Sequence, residues 1–504
     1  MELKYHTNNK EYRWTKELWL IPVFFVLSLV ILLFASFCSP LYEYKGYDSA
    51  IFMLVGKAVA AGKLMYVDIF DHKGPVMFFL QAFLMKAGGV NAVFCFEVVN
   101  LTLIFYIIYK IYRLFALPPR FLFIPILLIS ILMLNTLEGG NVTEEYSIPL
   151  LLGCLYLAIR YMLDDDERHP PKYAFCYGIA FSLLALIRIT NAAGLCGIIA
   201  AVSILLVYER EWENLFKNII YFLIGVACIC FPIGIYFLEN NAFNEMVYAT
   251  FTFNSKYAGG IFSISYGLNP KDILYLTRIY GPNIFTLSAL IVYSVYWGRN
   301  NKLILITFFS CLFTSSALLL GLRTDHYMML NIMPFVIGCL LFINLLICKQ
   351  CKVIFKIGLS VYLILLFGYF GKRATSVAAI YAQSKDANFY YLDKTLVDNI
   401  IPFDERDSVF GYNLASNWYL ETDILPPFRF YTSQEIWART DSLVYRETNK
   451  YLKKTPPRWI VIPNPYIAHS TKGVDSNPVL KDMIKNDYEL KGEDFNHKYY
   501  RRIN

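Results

Sequence analysis

Asp48, Asp68 and Asp71 stand with His72, Lys63 and Lys73 in one polar stretch near the start of the chain. It opens with Tyr47-Asp48-Ser49, continues through Gly62-Lys63, and closes on Tyr66, Asp68, Phe70, Asp71, His72, Lys73, Gly74 and Pro75. These types suit group transfer. A carboxylate takes the proton of an attacking hydroxyl, and a lysine stabilises a phosphate as it leaves. A solvated surface loop is the plainer reading of the same residues. The three aspartates could also hold a divalent cation together, a point that spacing leaves open.

Further ionisable residues sit where long apolar blocks end. Glu144 and Glu145 enter a block at Ser147, Arg188 interrupts another, and Arg323-Thr324-Asp325-His326-Tyr327 lies between two more. With Lys73, Arg188 and Arg323 are the cations suited to clamp a phosphate; snorkelling to headgroups is the alternative for both arginines. His326 could hydrogen-bond that phosphate or help to bind a metal. Glu144 and Glu145 suit acceptor binding or support of Asp48, and equally a helix N-terminus complementing its dipole. The acidic run 164–167, followed by Pro170-Pro171, reads as a solvated turn and not as a metal site. Asn141-Val142-Thr143 matches a glycosylation acceptor pattern, which is frequent by chance.

The elements that must position these residues are membrane spans. Of 504 residues, 57% are hydrophobic and only 17% charged, and the mean hydropathy is +0.44. A soluble domain carries about 25% charged residues, and a soluble protein this apolar would expose large sticky patches. The apolar residues come in blocks at 18–38, 91–112, 121–135, 147–162, 173–187, 191–207, 219–238, 284–297, 303–322, 328–347 and 353–370. Several approach the ~20 residues needed to cross a bilayer, and about eleven spans are expected. The net charge of +7 is spread over the flanks of these blocks without a dense basic run, which speaks against a nucleic-acid partner. The 11 cysteines lack metal-type spacing and read as buried free thiols.

Loop charges set the orientation. Lys110, Arg113 and Arg120, then Arg168 and Lys172, Arg210 and Lys217, Arg299 and Lys302, and Lys349 and Lys352 fall in alternate loops. Together with the basic N-terminus they mark one side, which is expected to be cytoplasmic. That scheme requires residues 173–207 to cross twice, with a break at 188–191. It puts residues 39–90, 138–146 and 239–283 on the outer face. The stretch 18–38 is too long for a signal peptide core and ends without a cleavage site, so it reads as a retained anchor. From about residue 371 the composition turns soluble. The tail of roughly 130 residues has the size of one small domain. Val409-Phe410 and residues 459–462 read as buried strands, and residues 434–452 and 478–486 as helices. The expected division is therefore a membrane part, 1–371, with an active-site loop at 39–90, and a soluble domain, 372–504.

The ordered motifs resemble a family. Asp48 in the first outer loop, then Tyr66-x-Asp68-x-Phe70-Asp71-His72-Lys73-Gly74-Pro75, is similar to bacterial multi-span glycosyltransferases of the GT-C fold (glycosyltransferase family 39-like). Within these the nearer likeness is to the protein O-mannosyltransferase and aminoarabinose-transferase-like group. It extends to Gly140-Asn141-Val142-Thr143-Glu144-Glu145 and to Arg323, His326 and Tyr327 followed by Pro334. The resemblance implies an α-helical polytopic membrane protein with a small α/β extracytoplasmic C-terminal domain, in a bacterial inner (plasma) membrane. The activity it implies is inverting transfer of a sugar from a polyprenyl-phosphate donor to a glycan, lipid or protein acceptor.

The resemblance makes Asp48 the general base and aligns Lys73 with the lysine that faces the lipid phosphate, where Arg188, Arg323 and His326 would join it. Asp68, Asp71, His72, Glu144, Glu145 and Tyr327 are then acceptor-binding or supporting groups. The chain departs from the aminoarabinose-transferase-like run, having His72 where a glutamate stands and Gly74 in place of the first proline. Ser49 after Asp48 departs from the Asp-Glu of eukaryotic mannosyltransferases. A transporter or flippase of lipid-linked or small polar substrates is the competing reading, and it would place charges and breaks in mid-span. An O-antigen polymerase or ligase would carry its key residues in a late loop instead.

Overall fold

A computed structural model describes residues 19–42, 45–163, 168–261, 270–319, 324–384, 394–464 and 473–503. The chain forms two compact units. The first, here called the span unit, comprises Met1–Ser39, Phe94–Ile233 and Ile264–Ala378. The second, the loop unit, comprises Pro40–Val93, Gly234–Ser263 and Ala379–Asn504.

The span unit is helical because a bilayer leaves unpaired backbone no partner, and a helix satisfies its own N–H and C=O groups. Among the described residues, seven helices are long and apolar enough to cross a membrane, and four shorter apolar ones accompany them. Ten of these eleven follow the expected apolar blocks in order, which makes this a multi-pass membrane protein; the eleventh, Pro75–Gly88, lies in the loop unit, and the block at 147–162 forms the more polar helix Thr143–Met162. The stretch 173–207 does break: a helix Pro171–Ile187 ends at extended Arg188, a single turn covers Ile189–Ala192, and a new helix runs Ala193–Tyr208. Burial differs sharply among the helices. The span His326–Ile347 is 83% buried and forms the core, whereas Trp212–Glu239 is only 6% buried and leaves its apolar side chains exposed. Ala193–Tyr208 and Asn301–Leu319 pack closely because Gly197 has no side chain; a Cβ there would lie 2.4 Å from the Phe309 carbonyl oxygen. Small residues at such crossings are the usual means of helix association in membranes.

In the loop unit, residues of the first polar segment form two helices, Tyr47–Ala60 and Pro75–Gly88, packed on each other. The second polar segment contributes Phe243–Val247, a widened turn Tyr248–Phe253, and Asn254–Ile261. The tail supplies four strands: β1, Val409–Gly411; β2, Trp459–Pro463; β3, Tyr488–Glu493; and β4, His497–Arg502. Their order is β1-β2-β4-β3, with β1 parallel to β2 and the other neighbours antiparallel. Phe410, Ile460, Ile462, Leu452, Leu480 and Tyr488 form the core between this sheet and its helices. The helical stretch expected at 434–452 is two helices, Gln434–Thr440 and Ser442–Lys454. Asp441 divides them by accepting the Leu443 N–H as an N-cap, at 3.0 Å.

Candidate active site

In the loop unit the site grows from a loop pinned by one aromatic side chain. Phe70 is fully buried and meets the rings of Phe253, Phe430 and Trp437 with centroids 5.4, 4.9 and 5.5 Å away. Its N–H donates to the Arg429 carbonyl at 3.0 Å. The buried Tyr66 hydroxyl donates to the Lys73 carbonyl at 2.8 Å, and Asn254 donates to the His72 carbonyl at 2.6 Å. With both sides held, the loop presents Asp71, His72 and Lys73 in fixed positions.

Asp48 lies in the first turn of the helix Tyr47–Ala60, and the Tyr47 hydroxyl is 2.5 Å from Ser433 Oγ. Asp71 is 3% exposed and accepts the Lys73 N–H at 2.9 Å. Burial raises the Asp71 carboxyl above its ordinary range; Lys73 pulls it down, and the charge of Asp48 pushes it up again. The two aspartates therefore feel each other, and Lys73 is the cation in their field. His72 Nε2 sits 2.8 Å from the Lys73 ammonium. Because an ammonium only donates, this contact requires a neutral His72 with its proton on Nδ1, the nitrogen 4.0 Å from Asp71 Oδ2. The His72 ring is held between Phe253 and Tyr257. Asp68 belongs elsewhere: it is exposed, accepts the Leu64 N–H at 2.7 Å, and shares its field with Lys63. Among the described residues no group of three His, Cys, Asp or Glu side chains is placed to hold a metal, so Asp48, Asp68 and Asp71 do not form the cation site that their proximity in sequence allowed.

In the span unit the other candidates join one charged network. Glu144, fully buried, pairs with Arg188 and accepts the Thr143 hydroxyl at 2.8 Å. The Arg188 guanidinium lies 3.6 Å above the Tyr327 ring. His326 Nδ1 is 2.5 Å from Glu138 Oε2, and the Asp325 N–H donates to the other Glu138 oxygen at 2.9 Å. Asp325 in turn pairs with Arg278 at 2.6 Å, and Arg278 donates to the Asn135 carbonyl at 2.9 Å. Burial raises the Glu138 carboxyl, but the bond and charge of His326 outweigh it and hold the group below its ordinary value. Arg323 lies outside the described residues.

A tight turn makes this network possible. Glu138, Gly139, Gly140 and Asn141 all have positive φ, between 48° and 92°. Gly140 is required there, since a Cβ would stand 2.2 Å from Glu97 Oε1. The turn delivers the Asn141 N–H to Glu97 at 2.7 Å and to Glu145 at 2.9 Å. Glu97 also accepts the Ser36 hydroxyl at 2.7 Å.

The structure thus groups Asp48, Asp71, His72 and Lys73 in one unit, and Glu144, Arg188, His326 and Tyr327 in the other. Glu145 turns away from Glu144 toward Glu97. Sequence reading missed Glu97, Glu138 and Arg278. Glu97 did carry a signal, being a lone acid inside an apolar block.

No family model matches the chain, and no curated protein matches it. Among solved structures, ArnT from Cupriavidus metallidurans bound to undecaprenyl phosphate is similar over 97% of this chain and 98% of its own, with a TM-score of 0.52 at 10% identity. The apo form of ArnT from the same organism gives 0.53 with the same coverage and identity. The Archaeoglobus fulgidus oligosaccharyltransferase, in complex with Zn and sulfate, covers 87% of this chain and 67% of its own at 11% identity, with a TM-score of 0.45. The chain has the GT-C membrane fold of ArnT.

Proposed function

We propose that this chain transfers a sugar from a polyprenyl-phosphate donor to an acceptor at the outer face of a bacterial plasma membrane, with inversion at the anomeric carbon. One observation carries the reading: a fixed loop holds Asp71 and Lys73 in the field of Asp48, in a chain that folds over its whole length like ArnT. Fold likeness alone would not assign chemistry. The residue types add to it what the reaction needs.

In this reading Asp48 accepts the proton of the acceptor hydroxyl as its oxygen forms the new bond to the anomeric carbon. The bond from that carbon to the donor phosphate breaks on the opposite face, and polyprenyl phosphate leaves with the electron pair. Lys73 stabilises the charge that grows on the phosphate. Asp71, buried in the field of Lys73 and Asp48, accepts the Lys73 N–H and so positions the lysine. Arg188, His326 and the span-unit network are assigned to support, as are Glu144 and Tyr327. The N-terminus is cytoplasmic, residues 39–90 form the active-site loop, and residues 372–504 are an extracytoplasmic domain beyond a membrane part, 1–371.

The test is transfer from a panel of radiolabelled polyprenyl-phosphate sugars by purified wild type and Asp48→Asn, with matched folding checks. Wild-type transfer that falls by about 10²–10⁴-fold in a folded variant supports both the class and the base. Equal transfer by the two removes Asp48 from the mechanism. Absence of transfer from every donor sinks the transferase reading.

A further inference from the structure

A second polar site lies in the loop unit, apart from Asp48 and Asp71. It is an open cavity of about 620 Å³, lined by Lys63, Asp68, Glu245, Phe428, Arg429 and Glu447 among others. Its volume falls within the roughly 300–1,000 Å³ of small-molecule sites. We propose that it binds a neutral saccharide unit.

The cavity has a built floor. Arg429 is only 10% exposed and is fixed by four bonds: Nε and Nη2 donate to Glu447, each at 2.8 Å, and Nη1 donates to Glu245 at 2.7 Å and to the Tyr66 carbonyl at 3.1 Å. Groups held this way lose little freedom when a ligand arrives. What the floor leaves open is specific. Both Glu447 oxygens are used, but among the described residues Glu245 Oε1 and Asp68 Oδ1 accept nothing. Lys63 spends one ammonium hydrogen on the Pro426 carbonyl, at 2.7 Å, and keeps two more. Two acceptors and one donor group thus face an open space beside an aromatic ring. That ring, Phe428, is held by stacking on Tyr451, with centroids 4.5 Å apart and planes 14° apart.

This set matches a sugar ring, whose hydroxyls donate to carboxylates and accept from an ammonium while its C–H groups rest on an aromatic side chain. Two cations interleave with three carboxylates, so the lining alternates in sign with a net charge of −1. An anion would meet Asp68 and Glu245, and an amine would meet Lys63 and Arg429. A neutral polyhydroxyl compound meets no like charge. The assignment stands on the cavity alone. Only its further use, holding the sugar part of an acceptor, rests on the transferase reading.

The experiment is calorimetric titration of the purified full chain, without donor, using the neutral methyl glycosides of glucose, mannose and galactose, with glucosamine and glucuronate as charged comparisons. Wild type is expected to bind at least one neutral glycoside, with Kd on the order of millimolar. Asp68→Asn keeps an acceptor for the Leu64 N–H but replaces the open oxygen with an amide, and should weaken binding about tenfold with unchanged melting. Glu245→Gln should do the same independently. Absence of neutral glycoside binding, equal binding by both folded variants, or tighter binding of glucosamine or glucuronate overturns the proposal. Binding with no transfer from any donor would leave this site standing while the transferase reading fell.

Discussion

In the span unit three acids face cations, Glu144 meeting Arg188, Asp325 meeting Arg278, and Glu138 meeting His326, while Glu97 and Glu145 share the Asn141 N–H instead. In the loop unit Asp71 lies in two opposed fields, the Lys73 charge that draws its carboxyl down and the lesser Asp48 charge that pushes it up, while the Lys73 ammonium makes its short contact to a histidine nitrogen. The first arrangement lowers the energy of charges that sit among apolar helices. The second brings two acids into one field beside a lysine, an arrangement that acid–base chemistry uses. The comparison teaches that a charge near a membrane is not by itself evidence of catalysis. What its neighbours neutralise matters more.

The largest test of that contrast is the Glu144–Arg188 pair. Arg188→Met leaves Glu144 fully buried and uncompensated, so it should cost about 3–5 kcal/mol in denaturant unfolding. Adding Glu144→Gln to Arg188→Met should recover most of that loss. Single variants that unfold like wild type would break the comparison, because the pair would then not be holding the fold. A double variant that is stable yet inactive in transfer would sharpen it, giving Arg188 a part in the reaction beyond the ion pair.

Lys73→Met should do the reverse. Among the described residues no carboxylate lies within ion-pair distance of this lysine, though its charge acts on the buried Asp71, so its removal should cost about 1 kcal/mol, well below the Arg188→Met loss. A lost charge-assisted contact to the donor phosphate should raise the KM for the donor about ten- to a hundredfold. Unchanged donor kinetics with lowered stability would place Lys73 in the same structural class as Arg188.

Much of the fold was legible because a bilayer allows so few solutions. Every apolar block became a helix, and the break at Arg188 fell where an arginine and two polar residues interrupt the run. One helix start was displaced: the element expected from 147 begins at Thr143, because Glu144 and Glu145 are buried and partnered and do not face solvent. In the tail, β1 and β2 were readable as apolar runs buried on both faces. β3 and β4 were not, since they form an edge hairpin with side chains such as Leu490 and Glu489 turned to solvent. The loop-unit group could be read as a motif because Asp71, His72 and Lys73 are adjacent in sequence. The span-unit network could not, because Glu138 and His326 are 188 residues apart and Glu144 and Arg188 are 44 apart. No local spacing encodes such pairs.

The smallest expected effect concerns Glu138, which connects the turn to His326 and the Asp325 N–H, with Arg278 nearby. Its folded pKa is depressed below the ordinary 4.5. A depressed carboxyl contributes stability that is fully present above its unfolded pKa and is lost as pH falls through the folded one. Melting of wild type and Glu138→Gln should therefore differ at pH 7, with the variant lower. The gap should close only as the pH drops below about 4.5, where the wild-type carboxyl is protonated too. The side chain is 39% exposed, so solvent screens the bond and the gap should be smaller than that of either buried pair. A gap that persists unchanged below that window would mean that Glu138 acts through packing. A gap absent at pH 7 would remove its pairing with His326 from the structural network and leave the histidine available for the reaction.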